Sequence, residues 1–352
     1  MVNSKIIFSR SFEKAIKECI QKYDNNKILL ATEENVNKLW VNHFNVLLDS
    51  YEIKKVIVPS GEKNKSLDSV KIIWKFLSDY GADRKSLLIN IGGGMLTDLG
   101  GFAASTFKRG INFLNVPTTL LSQVDASIGG KTGINFNGLK NEIGSFREPV
   151  AVIINTDFLK TLDHTNFLSG FAEMIKHGLI KSPAHLQELK NFSLNNIDYL
   201  SLQKIIANSL EIKKYFVDKD PKEKNIRKAL NFGHTAGHAF ESLALEQNRP
   251  VLHGYAVAWG MITELFLSKI KYGFDETELN ELTNWLFRIY GRLNIEKSDF
   301  ERLLGLMIHD KKNEAKRINF SLISQPGQIE INCNCEKSLI LKALDYFRVF
   351  RQ

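Results

Sequence analysis

The sequence predicts an α/β N-terminal Rossmann-like parallel-sheet domain over residues 1–155, followed by a mostly α-helical C-terminal domain over 156–352. Three observations predict it. Short apolar runs alternate with amphipathic helical patterns as far as Ile154. Long helical segments take over from Asp157 onward. A chain of 352 residues is also too long for one compact core.

In the first part, residues 28–30, 56–58, 87–91, 111–116 and 150–154 read as strands, with helical patterns over 33–49 and 66–80. This βαβα order argues for a parallel sheet covered on both faces, with nucleotides held at the carboxyl ends of its strands. The run 87–91 has the unbroken apolar character of a strand buried on both sides. It leads into Gly92-Gly93-Gly94, where missing side chains let the backbone turn sharply and approach a ligand. Helical periodicity follows over 95–108, so free N–H groups and a positive dipole end face an anion. Together these suggest a dinucleotide pyrophosphate cradle, although the spacing is not G-x-G-x-x-G. A second strand-to-loop junction, Val58-Pro59-Ser60-Gly61-Glu62, falls on the same edge.

In the second part, helices are expected over 169–180, 202–216, 228–245 and 257–269. One hairpin interrupts them, with strands over 318–323 and 329–331 around Gln325-Pro326-Gly327. The cleft between the two domains is the expected place for a substrate.

Composition narrows the function classes. Apolar residues at 43% and charged residues at 24% are those of an ordinary globular protein. No apolar run reaches membrane-span length and the N-terminus lacks a signal-peptide layout, so no membrane association is expected. Three cysteines (Cys19, Cys333, Cys335) suit a reducing cytoplasm better than a disulfide framework, and the last two are too few for a metal site. The net charge of +8 is dispersed and not clustered with aromatics, which argues against nucleic acid and for small anionic substrates.

His234 and His238 stand four apart on a helical pattern and share a face; His253 follows, and Glu173 lies one turn before Lys176. A catalytic metal wants about three His or carboxylate ligands and an open position. Spacing alone offers His234, His238 and either Glu173 or His253. Gly129-Gly130-Lys131-Thr132 lacks full P-loop spacing and a preceding strand, which excludes nucleotide hydrolysis. A loop placing Lys131, Lys140 and Asn141 in a cleft still makes a phosphate receptor.

Taken jointly, these motifs resemble one family. Gly92-Gly93-Gly94 with Asp98, the run 116–125, Gly129-Gly130-Lys131-Thr132, Lys140-Asn141, Glu173-Met174-Ile175-Lys176, Asn231-Phe232-Gly233-His234-Thr235 and His253-Gly254 are similar to the 3-dehydroquinate synthases of the sugar phosphate cyclase superfamily. The similarity runs from about Pro59 to Asn313 with the motifs in family order. It implies a shikimate-pathway lyase that uses NAD+ and one divalent metal, Zn2+ or Co2+, to convert 3-deoxy-D-arabino-heptulosonate 7-phosphate to 3-dehydroquinate and phosphate. Relatives that cyclise other sugar phosphates, such as 2-deoxy-scyllo-inosose synthase, and metal-dependent polyol dehydrogenases of the same architecture are the alternatives.

Carried over by position, the resemblance implies Glu173, His234 and His253 as metal ligands, with His238 left for substrate or proton transfer. It implies Asp125 and Lys176 at the reacting hydroxyls, and Lys131, Asn141, Lys213, Arg227, Asn231 and Lys311 on phosphate and carboxylate. Arg109 matches a residue lent to a neighbouring subunit, so a homodimer is expected. For NAD+ it implies Glu62, Lys65, Gly94, Asp98, Thr118, Thr119, Lys131, Lys140 and Thr161. Ser60, Thr97, Tyr255, Pro221 and Asn225 depart from the usual Asp, Gly, Glu, Glu and Gly.

Overall fold

Six strands pair in parallel, in the order β1 (Lys5–Phe8), β8 (Ala151–Ile154), β5 (Asn112–Pro117), β4 (Leu87–Gly92), β2 (Ile28–Glu33) and β3 (Lys54–Val58) across the sheet. In chain order this part of the computed structural model comprises β1 (Lys5–Phe8), α1 (Phe12–Ile20), β2 (Ile28–Glu33), α2 (Glu34–Tyr51), β3 (Lys54–Val58), α3 (Leu67–Asp79), β4 (Leu87–Gly92), α4 (Gly94–Thr106) and β5 (Asn112–Pro117). An antiparallel ribbon, β6 (Lys131–Phe136) and β7 (Leu139–Phe146), then precedes β8 (Ala151–Ile154). The structure describes residues 4–23, 26–137, 139–308 and 318–351. It forms two compact units, Met1–Asp163 and His164–Gln352.

The strands alternate their side chains between two cores, as a period of two requires. Leu30, Leu87, Ile89 and Ile91 pack with Phe12, Ile16, Phe44 and Leu47 of α1 and α2. Leu29, Ala31 and Leu88 pack with Val70, Ile73, Leu96 and Leu99 of α3 and α4. Each such buried leucine, isoleucine, valine or phenylalanine contributes about 1.5–3 kcal/mol. Asn90 breaks the apolar run of β4; its amide donates to Asn115 Oδ1 at 3.0 Å. Gly100 of α4 makes room for it, since a Cβ there would lie 2.1 Å from Asn90 Oδ1.

The second unit holds α5 (His164–Lys181), α6 (Pro183–Asn191), α7 (Tyr199–Lys219), a 3-10 segment (Ile226–Asn231), α8 (His234–Glu246), α9 (His253–Tyr272), α10 (Glu276–Tyr290), α11 (Phe300–Ile308), the hairpin β9 (Asn319–Gln325) and β10 (Gln328–Asn334), and α12 (Lys337–Val349). Helix α9 is apolar around most of its circumference and is packed by α5, α8, α10, α12 and β9.

Three expectations need correction. The helix expected over 228–245 is split: Gly233 adopts a left-handed φ of 78°, ends the 3-10 segment's run and caps α8. The expected loop carrying Lys131, Lys140 and Asn141 is the ribbon β6–β7, whose short strands and exposed face give little periodic signal. The triple glycine turns without special torsions: Gly93 has φ −70° and none of the three has a positive φ. What they require is room. A Cβ would lie 2.5 Å from Leu96 Cδ2 at Gly92, 3.2 Å from Thr119 Cγ2 at Gly93 and 3.1 Å from Ala126 Cβ at Gly94.

Candidate active site

In the first unit, the glycine turn follows β4 where the chain has crossed from edge strand β3 back to the other side of β2, a switch point of the kind that opens a crevice at strand ends. Gly93 caps α4, and its N–H donates to Glu33 Oε1 at 2.8 Å. Burial pushes the Glu33 carboxyl up, against the lowering effect of bonds from Gly93 and Ser60. Thr118 follows β5, and its buried Oγ1 has no hydrogen-bond partner among the described residues. Thr119 Oγ1 lies 2.9 Å from Ser122 Oγ.

Three of the residues expected on the nucleotide side, Glu62, Lys65 and Asp98, form one network with Asn141, expected on the substrate. The buried Lys65 ammonium donates to Asp98 Oδ2 at 2.5 Å and also to Asn141 Oδ1. Asn135 of β6 donates its backbone N–H to Lys65 O at 2.8 Å and its amide to Glu62 Oε1 at 3.0 Å. Lys131 and Lys140 are exposed on the ribbon. Asp125 is half-buried in a π-helical turn, Ser122–Ala126, a distortion often found at functional sites. Thr161 stands apart from that network: its hydroxyl accepts from Trp40 Nε1 at 3.2 Å and donates to Phe158 O at 3.1 Å. Arg109 is exposed on a turn where Lys108, Arg109 and Gly110 all have positive φ (48°, 71° and 114°).

In the second unit, α5, α8 and α9 bring Glu173, His234 and His253 together. His234 Nε2 and His253 Nε2 each lie 3.5 Å from the same oxygen, Oε1 of the fully buried Glu173. Ligands about 2.0–2.1 Å from a tetrahedral ion sit about 3.3 Å from one another, so this spacing suits a shared divalent cation. The other oxygen of Glu173 is gripped by the buried Lys176 ammonium one turn along α5.

The imidazoles are turned the right way for ligation. His234 Nδ1 lies 3.2 Å from Phe232 O, and a carbonyl can only accept, so Nδ1 carries the proton and Nε2 presents its lone pair. Glu241 Oε2 accepts likewise from His253 Nδ1 at 3.4 Å. Burial alone would push the His253 imidazole down, but Glu173 and Glu241 outweigh it and raise it to about 9, so at neutral pH its Nε2 also carries a proton, which a bound cation would displace. His238 closes the cluster, with its ring 5.4 Å from that of His234 and 5.7 Å from that of His253. The ligand atoms of His234, His238 and His253 all lie within 4.8 Å of one another, so the spacing alternative that takes His253 with His234 and His238 is also grouped.

Lys213 on α7 and Arg227 on the 3-10 segment are buried cations of the same unit. Asp220 holds the Arg227 loop by accepting the backbone N–H groups of Lys224, Asn225 and Arg227 at 3.0, 2.6 and 3.2 Å. Arg227 itself donates to Pro221 O at 2.7 Å, and Asn231 donates to Glu223 Oε1 at 2.9 Å. Lys311 lies outside the described residues. Sequence reasoning missed Glu33, Asn135, Glu241 and Glu264; the one available signal was an acid closing the apolar run of β2.

These features define a class: a Rossmann-like unit with a glycine turn at a strand end, and a helical unit carrying a His/His/carboxylate cluster. The fold is shared with 2-epi-5-epi-valiolone synthase from Streptomyces hygroscopicus, solved with NAD+ and Zn2+ bound (TM-score 0.87, 21% identity, 99% of this chain and 97% of that one). It is shared equally with 2-deoxy-scyllo-inosose synthase, solved with carbaglucose-6-phosphate, NAD+ and Co2+ (TM-score 0.84, 24% identity, 96% and 95%).

Sequence takes the assignment further. Residues 55–169 match the family described as 3-dehydroquinate synthase N-terminal, and residues 170–313 match 3-dehydroquinate synthase C-terminal. The chain is 44% identical to the 3-dehydroquinate synthase of Parabacteroides distasonis over 99% of both sequences, and 37% identical to that of Acetivibrio thermocellus over 93% of this chain and 91% of the relative. The chain belongs to the 3-dehydroquinate synthase family.

Proposed function

We propose that this chain catalyses the conversion of 3-deoxy-D-arabino-heptulosonate 7-phosphate to 3-dehydroquinate and phosphate, using NAD+ and one divalent metal. One observation carries the reading at the level of chemistry: two imidazole nitrogens stand 3.5 Å from one oxygen of a buried carboxylate, in a chain of this family. Glu173, His234 and His253 would hold the metal. This N/O donor set suits either Zn2+ or Co2+. Glu62, Lys65, Gly94, Asp98, Thr118, Thr119, Lys140 and Thr161 would hold NAD+; the buried Thr118 Oγ1, without a hydrogen-bond partner among the described residues, fits a polar ligand there. Bound in these places, an oxidised nicotinamide supplies a reversible hydride acceptor and a divalent ion supplies Lewis acidity.

The chain's own groups do the rest. Lys213, Arg227, Asn231, Lys131 and Asn141, with Lys311, bind the carboxylate and phosphate; two anionic groups need several donors of this kind. Burial of Lys213 and Arg227 strengthens their attraction for an anion relative to exposed cations. Lys176, fixed against Glu173, and Asp125 orient the reacting hydroxyls. His238, beside both other imidazoles, moves a proton at substrate oxygen.

A homodimer completes the reading, with Arg109 reaching the partner's substrate. Its support is the strained turn that presents Arg109 and the apolar side chains exposed on the ribbon: Phe136, Leu139, Ile143 and Phe146. No helix among the described residues is long and apolar enough to cross a membrane, and the proposed compartment is the cytoplasm.

The test is to supply the heptulosonate phosphate with NAD+ and Zn2+ or Co2+ and measure phosphate, dehydroquinate and NADH together. Equal phosphate and dehydroquinate without NADH accumulation is the expected result. Steady NADH accumulation with simple alcohols and no phosphate release would assign a polyol dehydrogenase instead, and turnover of glucose 6-phosphate alone would assign another cyclase.

A further inference from the structure

His234 and His253 are each the first residue of a helix, α8 and α9. Such positions are the least restrained part of a helix, because the first N–H groups have no partner within it. Neither helix is capped by its own N-cap side chain. Each is capped instead from another ligand-bearing helix. Glu264, fully buried on α9, accepts from Gly233 N at 2.7 Å through Oε2 and from Ala236 N at 3.2 Å through Oε1, bracketing His234. Ser169 of α5, one turn before Glu173, accepts with its Oγ from Gly254 N at 3.0 Å, immediately after His253.

We propose that Glu264 and Ser169 are positioning residues that set the metal-ligand geometry of His234 and His253 by pinning the first turns of α8 and α9. The chain of restraint runs α5 to α9 to α8, so all three ligands belong to one braced unit. Close main-chain contact makes the bracing stiff: a Cβ on Gly260 of α9 would lie 1.9 Å from Gly233 O and 2.6 Å from Gly237 N. A carboxylate suits the α8 end specifically. It takes two N–H donors at once, and its charge is stabilised by the helix's positive terminus where a neutral amide would present its NH2 to one of the donors.

The inference rests on the metal assignment, and the experiment separates the two. Zn2+ affinity of the full-length chain is measured by competition with a chromophoric chelator, and the Co2+ form by its visible absorption, for wild type, Glu264→Gln, Ser169→Ala and His253→Ala. Glu264→Gln or Ser169→Ala is expected to weaken Zn2+ binding about 10–100-fold, as loss of supporting shells does, and to shift the cobalt bands. Folding is checked by thermal unfolding; should Glu264→Gln fail to fold, Ser169→Ala decides alone. Wild-type affinity and unaltered cobalt bands in every folded variant of the two, with His253→Ala still losing metal, would overturn the positioning role alone. Wild-type binding by His253→Ala, or none by the wild type, would overturn the metal assignment itself.

Discussion

Gly254→Ala puts the helix contacts to a quantitative test. Gly254 is the second residue of α9, and a Cβ there would lie 1.9 Å from Ser169 O, 2.5 Å from Ser169 C and 2.6 Å from Ser169 Cα. These are main-chain atoms of α5, so no side chain can swing aside. Opening the first contact from 1.9 Å to the 3.0 Å that real Cβ atoms keep requires a displacement of about 1.1 Å. Overpacking of this kind costs about 1–3 kcal/mol and sometimes more. The larger effect should fall on metal binding: ligand distances hold to about 0.2 Å, and the displacement moves His253 relative to Glu173 by several times that. We expect Zn2+ affinity to fall at least about a hundredfold, about 2.7 kcal/mol, in chelator competition. Gly273→Ala at the far end of α9 is the control. Its φ of +72° imposes strain of about 1–2 kcal/mol, but nothing among the described residues lies within 4 Å of the added methyl. Zn2+ affinity within twofold of wild type in folded Gly254→Ala, or an equal loss in Gly273→Ala, would refute the reasoning.

Three further outcomes are expected. Lys131→Ala should mainly raise KM for the phosphorylated substrate and slow phosphate release, with NAD+ affinity followed beside them by fluorescence titration; loss of NAD+ affinity alone would misplace the residue. Mixing inactive Arg109→Ala with inactive His253→Ala should restore activity through mixed dimers holding one intact site, whereas no recovery after subunit exchange would argue against a shared site. Burial tends to raise the Asp220 carboxyl, but three N–H donors outweigh it and hold it below the ordinary value. Its contribution is therefore present above about pH 3.9 and is lost as pH falls through the lower folded value. Asp220→Asn should cost about 1–3 kcal/mol near pH 7, and its thermal midpoint should converge on that of wild type as pH falls below 4.

Much of the fold could be read from the chain because the parallel strands are apolar on both faces. β4 and β5 stand where the runs Leu87-Leu88-Ile89-Asn90-Ile91 and Ile111-Asn112-Phe113-Leu114-Asn115-Val116 indicate, to within a residue. Edge strand β1 and helix α1 escaped because Ile6-Ile7-Phe8 is too brief to declare a period. The break at Gly233 was hidden in an otherwise continuous helical pattern, since one left-handed residue leaves no mark on hydrophobic periodicity. In the site, i,i+4 spacing could pair His234 with His238, but only tertiary contact sets Glu173 Oε1 beside His234 and His253. Glu264 was invisible for the same reason: 28 positions separate it from the Ala236 N–H that it accepts.

The glycine triplet after β4 carries a lesson for how such signatures are compared among proteins. Its residues are limited by the girth of neighbours, severely at Gly92 by Leu96 and by a few tenths of an ångström at Gly93 and Gly94 by Thr119 and Ala126, and not by torsion angles that other amino acids avoid. The signature is thus a joint property of scattered positions, and a methyl can in principle migrate across the contact: Gly94→Ala accompanied by Ala126→Gly leaves the total volume unchanged. Homologues lacking the triplet are then better judged by the bulk of these three neighbours than by the missing glycines themselves.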